Sequence, residues 1–146
     1  MEIKNRKIND YLIESTFTAG LILVGMEIKS LVNKEADITG SRCMLKTLEG
    51  NSKNFGIFIV GSYFKVKESA YSAKYDANRD RQLLIKKCEL NYIKQQAQKG
   101  RSIIPTKIFC ADSKKYKVEI AVCLPLKKYD KREKLRERED WKQLRE

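Results

Sequence analysis

The sequence predicts a mainly β domain with two helices, arranged as a small closed antiparallel β-barrel. Three observations support this prediction: about six segments with strand character, two segments with helical periodicity, and a strongly basic composition that contains no histidine. The OB fold, a barrel of five or six strands that binds oligonucleotides on one face, has this combination of features. A β-sandwich with appended helices would fit the same pattern nearly as well.

The first predicted elements are a strand and a short helix. Apolar and polar side chains alternate over part of residues 11–23, with Ala19 and Gly20 as an apparent interruption between two apolar stretches. In Gly25–Val32 the apolar residues recur three and four positions apart, which is the spacing of one helix face. We therefore expect a short helix between strands.

A hairpin and a long loop are predicted next. A strand from Ile38 to Leu48, a turn at residues 49–51 and a returning strand over residues 54–63 form the hairpin. Residues 65–81 are polar and have no stable period, so they predict a long loop, a feature that is usually functional or mobile in compact domains. An apolar segment opens after it at Leu83.

The last part of the body is predicted to be a longer helix followed by two strands. Helical spacing runs over residues 87–98, and Gly100 is placed to cap this helix at its C-terminal end. The strands are predicted at residues 102–110 and 116–124. Pro105 indicates that the first of them is an edge strand or contains a bulge.

Basic residues dominate the charge along the whole chain. The chain has 31 Lys and Arg against 19 Asp and Glu, a formal net charge of +12. Nine of the basic and six of the acidic residues stand in residues 127–146, so residues 1–126 keep a net charge of +9. We interpret residues 1–126 as a folded body and residues 127–146 as a charged tail that orders on a polyanion, and nucleic acid is favoured over a membrane as that partner.

The composition leaves few candidates for catalysis or metal binding. Histidine, the most common general base and metal ligand, is absent. The four cysteines, Cys43, Cys88, Cys110 and Cys123, lack the paired spacing of zinc sites and have apolar neighbours, so we interpret them as reduced core residues in preference to disulfides or metal ligands. We expect no enzymatic activity and no cofactor. The first ten residues lack an apolar signal segment, which predicts a cytoplasmic protein.

Six short blocks stand in a fixed order along the chain. They are Asn-Arg-Lys at residues 5–7, A-G-x-x-L-x-G-x-E-I-K-S-L at 19–31, D-x-x-R-x-R-x-L-L at 76–84, K-G-x-x-I-I-P at 99–105, K-V-E-I-A at 117–121 and K-K-x-D-K-R-E at 127–133. Together they resemble the small protein B (SmpB) family, the SsrA-binding proteins of bacterial trans-translation. The resemblance covers residues 4–141.

The resemblance implies an OB-like barrel that binds the tRNA-like domain of transfer-messenger RNA (tmRNA) and escorts this RNA to stalled ribosomes. The residues that match blocks on the RNA-facing side of the family are Lys4, Asn5, Arg6, Lys7, Glu27, Lys29, Ser30, Arg79, Arg81 and Lys99. Glu27 could contribute to the RNA site or only order Lys29 or Arg79. Arg79 and Arg81 are expected to contact phosphates, whereas the basic arm at residues 4–7 could also be a solvated terminus.

The resemblance also implies that the tail lies as a helix in the empty messenger channel and contacts the decoding centre. The tail residues expected to contact the ribosome are Lys127, Lys128, Tyr129, Asp130, Lys131, Arg132 and Trp141. The family usually has a histidine where this chain has Tyr129, and tyrosine can stack on a base but does not become cationic near neutral pH. Favourable and opposing charge pairs nearly balance, so an isolated tail helix is marginal in water.

Two other functions remain open from the sequence. A structural ribosomal or rRNA-binding protein with an OB-like body would bind ribosomes without needing a tRNA-like RNA. An enzyme that acts on RNA would have only Asp, Glu, Lys and Tyr for its chemistry. We expect the free protein to be monomeric, without a small-molecule substrate or a membrane partner.

Overall fold

The computed structural model of the protein describes residues 2–48, 51–65, 76–112, 115–126 and Arg136. Within these ranges the strands are Glu2–Lys4 (β1), Tyr11–Leu21 (β2), Ala36–Asp37 (β3), Arg42–Leu48 (β4), Asn51–Val60 (β5), Tyr63–Phe64 (β6), Arg81–Leu84 (β7), Ser102–Asp112 (β8) and Lys115–Pro125 (β9). The α-helices are Gly25–Val32 (α1) and Lys87–Gln98 (α2), and Ile8–Asp10 form a short 3-10 helix. Most of the predicted long loop and nearly all of the predicted tail lie outside the described residues.

Seven strands form one antiparallel sheet in the order β1-β8-β9-β2-β7-β5-β4, and β3 pairs with β6 beside it. The prediction of a mainly β fold with two helices is confirmed, but the prediction of a closed barrel is wrong. The sheet curls until β4 lies close to β8, yet the two strands do not pair. The edge of β8 that faces β4 is already paired with β1 over Lys107–Phe109, and Pro105 offers no N–H for a further ladder bond. A continuous β4–β8 ladder is therefore blocked, and the two edges leave an open seam.

The core lies inside the curl of this sheet. Val118, Ile120 and Val122 on one face of β9 are buried, and Ala121 and Cys123 on its other face are buried as well. Helix α2 packs against β8 and buries Ile93 in the same apolar cluster. Neither α1 nor α2 is long and apolar enough to cross a membrane.

Both helices stand where helical periodicity predicted them. Helix α1 spans Gly25–Val32, and α2 spans Lys87–Gln98. Gly100 follows α2 with φ of +88°, the left-handed conformation that glycine adopts without steric cost at the end of a helix.

Two local predictions in the strands are corrected. Ala19 and Gly20 do not interrupt β2, because both pair with β9 and Gly20 also faces Leu84 of β7. A Cβ atom on Gly20 would lie 3.3 Å from the Cβ atom of Leu84, so the glycine permits this close approach. The predicted strand from Ile38 starts only at Arg42, since the N–H of Ser41 turns back to the carbonyl of Ile38 at 3.0 Å.

Pro105 lies at a register shift between β8 and β9, so the predicted bulge is confirmed although β8 is not an edge strand. None of the four cysteines, all within the described ranges, forms a disulfide, and Cys43 and Cys123 are buried as predicted. Burial raises the pKa of the Cys43 thiol, and the neighbouring Cys123 adds to this rise, which keeps Cys43 protonated. Cys88 is exposed on α2, which contradicts its predicted core position.

The open seam predicts uneven protection of backbone amides from hydrogen exchange. We expect about half of the amides in Arg42–Leu45 to exchange at least about tenfold faster than the amides of Val118–Val122. The reason is that β4 has a strand partner on one side only, whereas β9 has a partner on each side. Hydrogen exchange followed by NMR would measure this difference. Equal protection of the two segments would mean that β4 and β8 are hydrogen-bonded and that the barrel is closed.

Candidate nucleic-acid interface

A buried carboxylate organises the region that contains half of the predicted RNA-binding residues. Glu27, in the first turn of α1, is fully buried. Its Oε1 accepts a hydrogen bond of 3.0 Å from the N–H of Val24 and a charged one from Nη2 of Arg79, and its Oε2 accepts one from Nε of Arg81. The carboxylate thus caps the helix and joins α1 to the segment before β7.

Arg81 is fully buried, and its guanidinium is surrounded by protein groups. Besides Glu27, it donates to Oγ of Ser62 at 3.1 Å and to the carbonyl oxygens of Arg79 and Ala77 at 2.7 and 2.9 Å. The same group lies 4.2 Å from the ring centroid of Phe64. Arg81 therefore holds the turn at residues 77–79 and has no surface on which to bind an RNA phosphate, in contrast to the sequence-based prediction.

Arg79 reaches the surface, with 32% of its side chain exposed. Glu27 holds one end of its guanidinium, Nη1 makes only a long contact of 3.5 Å with the carbonyl of Asp80, and Nε is buried without a hydrogen-bond partner in the described structure. A partly exposed guanidinium with a fixed orientation is suited to bind a phosphate. The two arginines that looked equivalent in the sequence therefore have different roles.

The helical period divides the predicted residues of α1 into two faces. Glu27, Ser30 and Leu31 lie on the inner face and are buried, because positions three and four apart share a face. Ser30 is only 2% exposed and is not available to RNA. Lys29 is on the outer face and exposed. Glu27 orders Arg79 and Arg81, and no ion pair is described between Glu27 and Lys29.

An exposed apolar patch, which was not predicted from the sequence, lies next to α1. Its members are Ile22, Val24, Ile28 and Leu84, between 39% and 60% exposed. A cavity of about 280 Å³ lies here, lined by Ile28 and Leu84 and by the segment Lys115–Lys117, whose two lysines are exposed. Scattered apolar residues on a surface are ordinary, but Ile28 and Leu84 line one cavity together with two exposed lysines, which is typical of a contact surface. These residues had been interpreted only as parts of strands and helices.

The N-terminal arm is fixed to the body by its one uncharged member. Asn5 is 2% exposed, and its Nδ2 donates to the carbonyl of Pro105 at 2.9 Å while its Oδ1 accepts from the N–H of Lys7 at 3.0 Å. Lys4, Arg6 and Lys7 are exposed. The arm therefore presents three cations from an anchored backbone, whereas Asn5 itself is not accessible to RNA.

The remaining predicted residues lie at the end of α2 and in the tail. Lys99 is exposed just after α2, where a cation also complements the helix dipole. Residues 127–132 and Trp141 lie outside the described residues. The root of the tail is defined, since Pro125 pairs with Tyr11 and the N–H of Leu126 donates to the carbonyl of Asp10 at 2.8 Å.

Comparison with known proteins gives consistent matches over almost the whole chain. The SmpB protein family model matches residues 2–146. The chain is 40% identical over 141 residues to the SsrA-binding protein of Mycoplasmopsis synoviae, covering 97% of this chain and 91% of that protein. It is 36% identical over 138 residues to the SsrA-binding protein of Fervidobacterium nodosum, covering 94% and 88%. A chain of the solved structure described as "tmRNA-SmpB: a journey to the center of the bacterial ribosome" superposes with a TM-score of 0.65 at 29% identity, covering 92% of this chain and 94% of that one.

Proposed function

Because this chain belongs to the SmpB protein family, we propose that it binds the tRNA-like domain of tmRNA and delivers this RNA to stalled ribosomes for trans-translation. The observation that carries the proposal is the family match over residues 2–146, together with the superposition on a tmRNA–SmpB structure. The protein acts as an RNA-binding adaptor in the cytoplasm, and we assign no enzymatic step to it.

We place the tRNA-like RNA on the surface formed by Arg79, Lys29 and the apolar patch. A folded RNA is recognised mainly through phosphates, riboses and unstacked bases. Arg79 offers a fixed and partly exposed guanidinium for a phosphate, Lys29 adds charge, and Leu84, 60% exposed, offers an apolar surface for a ribose or base. The exposed Lys115 and Lys117 extend the positive charge along the rim.

The buried members of the predicted site support this surface from inside. Glu27 and Arg81 hold Arg79 and its turn in place, and Ser30 lies on the buried face of α1. Asn5 fixes the arm so that its cations project outward. These four are positioning residues in our proposal, and the direct contacts come from exposed side chains.

The tail is assigned to the second partner, the ribosome. We propose that residues 127–132 contact the decoding centre, with Tyr129 as the stacking residue, and that the segment through Trp141 orders in the messenger channel. Lys4, Arg6 and Lys7 add an exposed basic surface on the body. Order on binding is the usual behaviour of such charged segments, because phosphates supply the stabilisation that an isolated helix lacks.

Replacing Arg79 by alanine tests the proposed RNA surface. We expect the affinity for a tRNA-like fragment of tmRNA to fall about tenfold, and the slope of log K against log salt to decrease by about 0.7–0.9, since one phosphate contact is lost. The midpoint of urea unfolding should fall less than in a variant that lacks Glu27, because the buried carboxylate keeps its ion pair with Arg81. Fluorescence anisotropy at several salt concentrations measures both quantities.

The matched control is Lys94→Ala, which removes one exposed positive charge from α2, where Lys94 lies over the ring of Phe55. This variant should keep the affinity and nearly the salt slope of the parent protein. If the salt slope of Arg79→Ala equals that of the parent protein, Arg79 does not contact the RNA. Failure of the parent protein to prefer the tRNA-like fragment over an ordinary RNA hairpin would refute the proposed function itself.

A further inference from the structure

A second ion pair lies directly beside Arg79. Nζ of Lys46, on β4, binds Oδ2 of Asp80, the residue between Arg79 and β7. The side chains of this pair are 41% and 35% exposed, and ion pairs this exposed add little to stability. We propose that Lys46 is a positioning residue for RNA binding, which holds the Asp80 carboxylate and thereby keeps the guanidinium of Arg79 free for a phosphate. This inference rests on the proposed function.

Asp80 is placed to compete with a phosphate for Arg79. Carboxylate and phosphate groups bind the same donors of a guanidinium. Nη1 of Arg79 lies 3.5 Å from the carbonyl oxygen of Asp80, and the carboxylate of an aspartate lies within about 5 Å of its own carbonyl oxygen. The Asp80 carboxylate is therefore within reach of the exposed part of Arg79, yet the described ion pair of Asp80 is with Lys46.

The sheet fixes the direction from which Lys46 approaches. Lys46 pairs with Gly56 of β5, and Phe58 lies two positions further along β5 on the same face. The ammonium group of Lys46 lies 5.7 Å from the centroid of the Phe58 ring. Phe58 in turn pairs with Gln82 of β7, two positions after Asp80. Lys46 thus reaches across β5 and draws the carboxylate over the sheet.

The three carboxylates around Arg79 have separate tasks in this arrangement. Glu27 binds Nη2 of Arg79 and orients the guanidinium. Asp76 accepts a backbone N–H of the turn before β7 at 2.9 Å, so its carboxylate closes that turn. Asp80 neither orients Arg79 nor closes the turn through a described side-chain contact, and Lys46 holds it. Asp80 is therefore the acid whose partner determines how much of Arg79 remains available.

The first test compares Lys46→Met with Lys94→Met in the full-length protein. Both lysines lie over a phenylalanine ring that methionine still contacts, and both variants lose one positive charge. Lys46→Met should weaken binding of the tRNA-like fragment about three- to fivefold, because the affinity falls with the fraction of molecules in which Arg79 is free. Lys94→Met should stay within about 1.5-fold of the parent protein, as should Lys46→Arg, which can still bind Asp80. Equal affinities of Lys46→Met and Lys94→Met would overturn the proposal.

The second test is a double-mutant cycle with Asp80→Asn, measured by fluorescence anisotropy. The neutral amide does not compete for Arg79, so Lys46→Met combined with Asp80→Asn should return to within about 1.5-fold of the parent affinity. Asp80→Asn alone should change the affinity less than twofold. A simple effect of charge gives another pattern, in which Asp80→Asn alone strengthens binding as much as Lys46→Met weakens it. That pattern, or a double variant as weak as Lys46→Met, would overturn the proposal.

The third test removes the group for which Asp80 competes. In an Arg79→Ala background, Lys46→Met should cost no more affinity than Lys94→Met does there, because the carboxylate has lost its target. A further loss of about three- to fivefold in this background would show that Lys46 acts independently of Arg79 and would overturn the proposal. Failure of the parent protein to prefer the tRNA-like fragment over an RNA hairpin would instead refute the proposed function.

Discussion

Replacing Glu27 by alanine is expected to lower the free energy of unfolding by about 3–5 kcal/mol. The carboxylate is fully buried and pairs with two arginines, one of which, Arg81, is itself fully buried. Removing one partner of a buried ion pair leaves the other charge without compensation in a medium of low dielectric constant. The N–H of Val24 at the start of α1 also loses its acceptor. Urea unfolding followed by circular dichroism gives the free energy by linear extrapolation.

The matched control is Glu14→Ala. Glu14 pairs with Arg101 at 2.8 Å, but about a third of each side chain is exposed, so the loss should be no more than about 1 kcal/mol. A cost for Glu27→Ala as small as that for Glu14→Ala would mean that the buried cluster does not stabilise the fold. Glu27→Ala should also weaken binding of the tRNA-like fragment at temperatures where it remains folded, because Arg79 loses the group that orients it.

Removing residues 127–146 is expected to abolish the rescue of stalled ribosomes while leaving affinity for the tRNA-like fragment within about threefold. The tail carries only +3 of the net charge of +12, so the body keeps most of the long-range attraction for RNA. The surface assigned to the tRNA-like RNA, with Arg79 and Lys29, belongs to the body. Peptide tagging on a messenger without a stop codon measures rescue, and fluorescence anisotropy measures RNA affinity.

A full-length control keeps the tail and changes its contact block, with alanine at Lys127, Lys128, Lys131 and Arg132 together. We expect a strong loss of rescue there as well, because these residues are assigned to the decoding centre. If the truncated body loses RNA affinity as severely as rescue activity, the division of tasks between body and tail is incorrect.

Local structure and family were predictable from the sequence because they depend on short-range order. Periodicity located α1 and α2 within one or two residues. Six ordered blocks indicated the family, since their joint spacing is far more specific than any single block. The exposure of Cys88 was missed, although the cysteine stands between two charged residues, Lys87 and Glu89.

Closure of the sheet could not be predicted, because it depends on strands that are far apart in the chain. Strand β1 reaches the edge of β8 from about a hundred residues earlier, and the strand character of Ser102–Asp112 does not reveal which partner covers that edge. A pattern of alternating residues is the same in a closed barrel and in a curled open sheet. The open seam between β4 and β8 could therefore not be predicted from the sequence.

The sequence by itself determined the elements, the excess of positive charge and the membership of a family that binds tmRNA. Only the tertiary structure decided which charges face solvent. Arg79 and Arg81 stand two positions apart in one block, yet one is partly exposed beside Glu27 and the other is fully buried against Phe64. The physical reason is that a buried guanidinium needs a carboxylate and several carbonyl groups around it. Those partners are supplied by α1, by Ser62 just before β6 and by the turn before β7, which only the folded chain brings together.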